Sequence, residues 1–307
     1  KRNFRLRRVP CFDLLLAATH GDLLARLAFN VQQWTFTLVV LLLSLLNRAD
    51  VIYSRDVPVL LALSLVKPRR KLAYEAHQLR AGRAGRWLQG LVVRRVGTVI
   101  PVTARLGDDL AKLLSPTPPH DIGRGESPRT KILVAHDGIR RERFAGLPAQ
   151  AEARAALGWP LAAFVVGYVG RLQTMAMDKG VGTLVEALRQ VDGATLALVG
   201  GPDDIAESLR EQWTAAGLDA ARFINAGQVR PDRVPLYLAA CDVCAMPFPW
   251  TEHFAYYASP IKLFEYMAAR RAIVASDLPS TAEVVTDGDA ALLYPPGDTA
   301  ALAAAIT

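Results

Sequence analysis

The chain of 307 residues is long enough for one large core or two ordinary ones, and its length favours two domains. Hydrophobic residues make up 51% and charged residues 21%, which excludes a disordered chain. The net charge of +7 conceals two unlike halves: residues 1–150 hold 25 Lys and Arg against 11 Asp and Glu, a balance of +14, and residues 151–307 hold 11 against 18, a balance of −7.

Halves of opposite sign point to two domains with different partners. The basic half suits an anionic acceptor, a lipid surface or nucleic acid. It lacks the aromatic interleaving of a nucleic-acid binder, so no nucleic-acid partner is expected. The three cysteines, Cys11, Cys241 and Cys244, fit a reducing compartment without a disulfide framework. Cys241 and Cys244 have the spacing of half a zinc site or a redox pair. They lie in the apolar run YLAACDVCAM without a second pair, and read as buried structural thiols.

In chain order, KRNFRLRR is not followed by a cleavable apolar core, so no signal peptide is expected and the cytoplasm is the expected location. A long helix is expected from Leu27 to Asn47. Its most apolar run, Thr35 to Leu46, is too short to span a bilayer and reads first as a buried helix. A helix resting on a membrane, peripheral on the inner face, is the second reading. Strands are expected at Val51–Ser54, Lys71–Ala76, Thr98–Val102 and Lys131–Ala135. Helices between them cover Pro58–Val66, Gly85–Arg95 and, capped by Thr103, a stretch to Leu114. Ser115–Thr130, rich in Pro, Gly and Ser, reads as a loop. No first strand with a Gly-rich turn opens this half, so the first domain is expected to be incomplete.

The expected boundary gives domains 1–145 and 146–307. After a small helix, Ala149–Leu157, six strands are expected: Phe164–Val169, Thr195–Val199, Arg222–Asn225, Asp242–Met246, Ala272–Ala275 and Ala291–Tyr294. Helices at Val181–Gln190, Asp203–Ala216, Arg233–Ala240, Pro260–Ala269 and from Asp298 alternate with them. The fold class is α/β, a parallel doubly wound sheet in each half.

Ligands of such sheets sit at the carboxyl ends of strands. Gly170-Arg171, Gly200-Gly201 and Gly227 follow strands, and Lys179-Gly180 opens a helix. Arg171 and Lys179 beside a helix N-terminus suit a diphosphate. The plainer alternative pairs Arg171 with Asp178 and leaves Lys179 solvated; the glycines alone can be turn punctuation. In SPIKLFEYMAARRAIVAS, Ser259 and Pro260 read as a helix start, with Ile261, Phe264 and Ala268 as its apolar face. Glu265 then falls on the inward stripe, where a carboxylate needs a polar partner: a ligand, or Lys262 three residues back. His136, His120 and His20 have no metal-ligand spacing.

From Phe164 onward the segments GYVGRL, DKGVGTLVEAL, LALVGGP, INAGQV, YLAACDVCAMPF, SPIKLFEYMAARRAIVASDLPSTAEVV and GDAALLYPPGD stand in one order. They resemble the nucleotide-sugar domain of the retaining glycosyltransferases of family 4, which have the GT-B fold: two Rossmann-like domains facing a cleft. ADVIYSRD, LAYEAHQL, VIPVTARLGDDL and ILVAHDGIRRERF are more weakly similar. The resemblance implies transfer of a sugar from a UDP- or GDP-sugar to a glycan, lipid or small-molecule acceptor, with retention and without a metal or other cofactor. It implies that Arg171 and Lys179 hold the donor diphosphate and that His77 faces the reacting sugar. Glu265 would accept from ribose hydroxyls. Gly170, Gly200, Gly201, Val229 and the segment Ala258, Ser259, Pro260 and Ile261 would line the donor. The family's first Glu of Glu-x7-Glu is Tyr257 here, which leaves the sugar open. The loop between Arg171 and Lys179 is longer than the commonest form and reads as a flap. A second reading is a nucleotide-sugar-binding, membrane-docked protein without transferase activity.

Overall fold

The structure, a computed structural model, describes residues 23–46, 48–114, 130–174 and 176–307. The expected loop over Ser115–Thr130 lies outside the described residues except for Thr130, as do Cys11, His20 and His120. The chain divides into two compact units, Lys1–Ala135 and His136–Thr307. The sequence expectation sets the boundary ten residues later. Residues 136–145 go with the second unit because Phe144 enters its core and Arg143 reaches its Glu265.

In the first unit, α1 (Leu23–Leu46) leads into β1 (Ile52–Ser54), α2 (Val57–Leu63), β2 (Leu72–Ala76), α3 (Gly82–Arg95), β3 (Thr98–Pro101), α4 (Ala104–Lys112) and β4 (Lys131–Ile132). The strands form one parallel sheet in the order β1-β2-β3-β4. Asp56 caps α2 and Thr103 caps α4, each accepting a backbone N–H of the first turn.

α1 corrects the sequence reading. Thr35–Leu46 is only the second half of a 24-residue helix, and the stretch Leu27–Leu46 is long and apolar enough to cross a membrane. It is not buried: only 11% of its most apolar window is covered. The covered side is polar, with Thr37 and Ser44 buried and Gln33 donating to the Asp56 carboxylate at 3.0 and 3.1 Å. Leu27, Val31, Trp34, Leu38, Leu42 and Leu45 recur at helical spacing and are all exposed. Apolar content alone misled here, because the polar face is the one that meets α2.

The second unit begins with α5 (Gln150–Leu157) and β5 (Phe164–Val169). A short hairpin follows, β6 (Gln173–Thr174) with β7 (Met177–Asp178), in the segment expected as a flap. Then come α6 (Val181–Leu188), β8 (Ala194–Val199), α7 (Asp203–Ala215), β9 (Phe223–Gly227), α8 (Val234–Ala240) and β10 (Val243–Met246). A π-helical turn, His253–Tyr257, precedes α9 (Ile261–Ala268), β11 (Ala272–Ser276), α10 (Pro279–Ala282), β12 (Leu292–Tyr294) and α11 (Thr299–Ile306). The sheet is parallel, in the order β12-β11-β10-β5-β8-β9. β8 and β10 are buried throughout, as continuous apolar strands covered on both faces must be. Strand order reverses between β5 and β10, the place where such sheets open a crevice.

α9 is phased differently from expectation. Leu263, Tyr266 and Ala269 are its buried side, whereas Ile261 is exposed. Ser259 is not its cap. Pro260 holds that position, and Ser259 Oγ accepts the Asp137 N–H at 2.8 Å. The ring fixes the start one residue late for the Ser hydroxyl to reach the helix N–H groups.

Candidate nucleotide-sugar site

A cavity of ≈ 410 Å³ opens at the carboxyl ends of β5, β8 and β9. Val169, Gly170 and Arg171 line it from β5, Val199, Gly200, Gly201 and Pro202 from β8, and Gln228 and Val229 from beyond β9. Glu265 on α9 and Arg143, before α5, line it too, with Gln173, Pro231 and Val234. Gly170 and Gly200 lie back to back there. A Cβ on Gly200, whose φ is 150°, would stand 2.0 Å from the Gly170 carbonyl oxygen, so the two strand ends approach only without side chains.

Glu265 is mostly buried, and its carboxylate lies 3.7 Å from the Arg143 guanidinium. Burial raises its pKa, while Arg143 and then Lys262 pull it back. The expected alternative partner, Lys262, turns elsewhere: its ammonium donates to the Val169 carbonyl at 3.0 Å. Arg143 also donates to the Pro231 carbonyl, while its buried Nε has no partner among the described residues. Arg171, also on the lining, is exposed and forms no ion pair with a described residue, so the alternative pairing with Asp178 is not made. Asp178 accepts the Gly180 N–H at 2.9 Å instead.

Lys179 is buried and is not among the residues lining the cavity. Its ammonium stands 4.6 Å from the Phe248 ring and 4.3 Å from the Phe254 ring, and burial lowers its pKa to about 8. Two stacked rings take the solvated position that a loop lysine ordinarily has. Tyr257, Ala258, Ser259, Pro260 and Ile261 also lie off the lining. Tyr257 Oη is 3.5 Å from Glu252. His77, in the first unit, bonds Glu75 at 2.9 Å. Cys241 and Cys244 are buried, free thiols.

The sequence reading missed Arg143, and named Lys262 only as a partner for Glu265. Arg143 sits in the charged run RRERF, where nothing singles out one of three arginines. Lys262 had a signal: a lysine four residues before Tyr266 shares that residue's buried side.

Residues 163–307 match the family model of glycosyl transferases group 1. That stretch is similar to a group 1 glycosyltransferase domain. Over 217 residues the chain is 32% identical to the 2-deoxystreptamine N-acetyl-D-glucosaminyltransferase of Streptomyces fradiae, covering 68% of this chain and 46% of that protein. Over 154 residues it is 36% identical to the phosphatidyl-myo-inositol mannosyltransferase of Mycobacterium leprae (strain TN), covering 48% and 38%. The chain thus spans less than half the length of these curated relatives. Among solved structures, Anabaena HepE in complex with UDP is similar with a TM-score of 0.67 and 24% identity, over 90% of this chain and 73% of that one. Sucrose-phosphate synthase from Thermosynechococcus elongatus is similar with a TM-score of 0.68 and 20% identity, over 94% and 71%. The two Rossmann-like parallel-sheet units are those of the GT-B fold. The lining residues of the cavity all belong to the unit that holds the matched stretch.

Proposed function

We propose that the protein transfers a sugar from a UDP- or GDP-sugar to an acceptor, with the anomeric configuration retained. One observation carries this reading: Glu265 and Arg171 line a single cavity at the strand carboxyl ends, an acceptor for ribose hydroxyls and a cation for a diphosphate. Charge grows on the departing diphosphate in the transition state, and fixed cations that meet it there lower the barrier. Arg171 meets it directly. Lys179 adds a fixed positive charge from behind Phe248 and Phe254. These cations supply the role a metal would otherwise play, so the proposed reaction calls for no metal and no other cofactor. His77 is proposed to face the reacting sugar.

The matched relatives favour this reading, since both are named as sugar transferases, one to 2-deoxystreptamine and one to phosphatidyl-myo-inositol. The proposed acceptor is accordingly a small molecule, a glycan or a lipid-linked group. The test is a thermal-shift panel of UDP-, GDP-, ADP- and TDP-sugars, followed by product analysis with the labelled donor that binds. A ligand that binds only the folded state raises Tm. A retained sugar–acceptor product is expected. Donor binding without transfer would make the protein a binding module, and no binding would remove the site.

A specific observation favours a membrane location for this activity. The outward apolar stripe of α1 belongs to the half of the chain with a balance of +14. An apolar helix face with surrounding basic charge is the pair of signals that holds a protein on an anionic leaflet. α1 is proposed to lie on that surface rather than cross it, because its opposite face is polar and engaged with α2. The cytoplasmic face of the membrane is the proposed location.

A further inference from the structure

Two residues of α9 hold Val169, the last residue of β5. The Lys262 ammonium donates to the Val169 carbonyl at 3.0 Å. Tyr266, one turn further, accepts the Val169 N–H at 3.2 Å and lies 3.3 Å from the same carbonyl. The next residue is Gly170, the turn that aims Arg171. Gly170 has φ 140°, and a Cβ built on it would stand 1.4 Å from Lys262 Nζ. The ammonium therefore occupies the space that the missing side chain leaves. It also lies 4.8 Å from the Tyr168 ring. On the far side, Gly170 N–H bonds the Val199 carbonyl at 2.7 Å. The Gly170-Arg171 turn is thus held between β8 and a lysine of α9.

The same helix carries Glu265, one residue before Tyr266, into the cavity. α9 therefore fixes the separation between the carboxylate and the cation-bearing turn. We infer that Lys262 is a positioning residue: its contact with Val169 and Gly170 sets where Arg171 meets the diphosphate of a bound nucleotide. This deepens the proposed donor site and rests on it. A buried ammonium given one carbonyl and a ring face is costly to keep, and a purely structural position would be served by leucine or methionine. Burial, and then Lys179, lower its pKa to about 7, against a smaller opposing pull from Glu265.

Calorimetric titration of the full chain with UDP, GDP, uridine and guanosine tests the inference. If the wild type binds none of them, the donor-site reading fails and this one with it. With a binding wild type, Lys262→Met is expected to lose about ten- to hundredfold in affinity for the diphosphate, the worth of one charged hydrogen bond. Its affinity for the nucleoside should hold, since Arg143, the larger of the two pulls on the Glu265 carboxylate, is kept. Lys262→Gln, which keeps one donor, should recover part of the loss. Undiminished diphosphate affinity in Lys262→Met would overturn the inference while the donor site stands. So would an equal loss for nucleoside and diphosphate, the mark of general damage to the fold. Should the Met variant not fold, Lys262→Arg carries the test: the larger fork cannot seat above Gly170, so diphosphate affinity falls and nucleoside affinity holds. Equal affinities for both in that variant overturn the inference.

Discussion

The Arg143 guanidinium stands 3.7 Å from the Glu265 carboxylate on the lining of one cavity. The pair joins residues 122 positions apart, one just before α5 and one in α9. A mostly buried carboxylate tends to take up a proton, and Arg143, with Lys262 second, opposes that rise. Arg143→Ala should therefore leave Glu265 with a higher pKa. Nucleoside affinity is expected to fall, and to fall further at pH 5.5 than at pH 8. Titration of uridine or guanosine at the two values checks this; a loss independent of pH would mean that Arg143 acts on the ligand and not through Glu265.

Glu265→Gln keeps the shape and removes the charge. A ribose hydroxyl that donated to a carboxylate then donates to an amide, a difference of about 1–2 kcal/mol. Affinity for UDP and for uridine should drop by the same factor, about five- to thirtyfold. A drop confined to UDP would place Glu265 at the phosphate end and reverse the proposed orientation of the donor.

Arg171→Ala tests the opposite end. Losing one donor aimed at developing charge costs about 2.7–4 kcal/mol of barrier in comparable sites. The expected result is a fall in kcat of about a hundred- to thousandfold with nucleoside affinity retained. Unaltered turnover would remove the assigned role.

Much of this site was legible because strand ends and glycines leave marks in a sequence. Gly170-Arg171 and Gly200-Gly201 follow apolar runs, and the sheet brings them together. Glu265 was legible as a carboxylate on a helix face that also carries apolar residues. Its partner was not, because a pairing across 122 residues leaves no local pattern. Lys179 shows a different limit. Its place in a loop suggested a solvated or ligand-facing charge, but Phe248 and Phe254, distant in sequence, cover it. The α9 phase was missed because Leu263 and Tyr266 offer as good an apolar stripe as Ile261 and Phe264, and packing on β5 decides between them. α1 shows composition at its weakest, since an apolar helix was assigned to a core that it does not enter.

Two buried lysines make stability depend on pH in a defined direction. In the folded chain the pKa of Lys179 is about 8 and that of Lys262 about 7, both lowered by burial from 10.5. Between those values and 10.5 the unfolded chain binds more protons than the folded one, so stability rises with pH. Below about pH 7 both are charged in both states, and their cost is constant. Urea midpoints at pH 6.5, 8 and 9.5 should increase in that order. Lys262→Met should be more stable than the wild type at pH 6.5 and show a shallower rise. A midpoint that falls from pH 6.5 to 9.5 in both proteins would show that neither amine is held as described.

The outward face of α1 makes the last prediction. Leu38 and Leu42 sit at its middle, a turn apart, with both side chains exposed. Both lie away from the side on which Gln33 meets Asp56 and Thr37 and Ser44 are buried. The double variant Leu38→Asp, Leu42→Asp should keep the wild-type Tm, because no buried group changes. It should lose flotation with vesicles containing phosphatidylglycerol, since two carboxylates oppose both the apolar insertion and the anionic surface. The wild type should float at low salt and less so at 0.5 M, as surface attraction is screened over a shorter distance. Absence of flotation at low salt would mean that the stripe meets something other than lipid. A variant that no longer floats but has a lowered Tm would locate the stripe in the fold and not on a membrane.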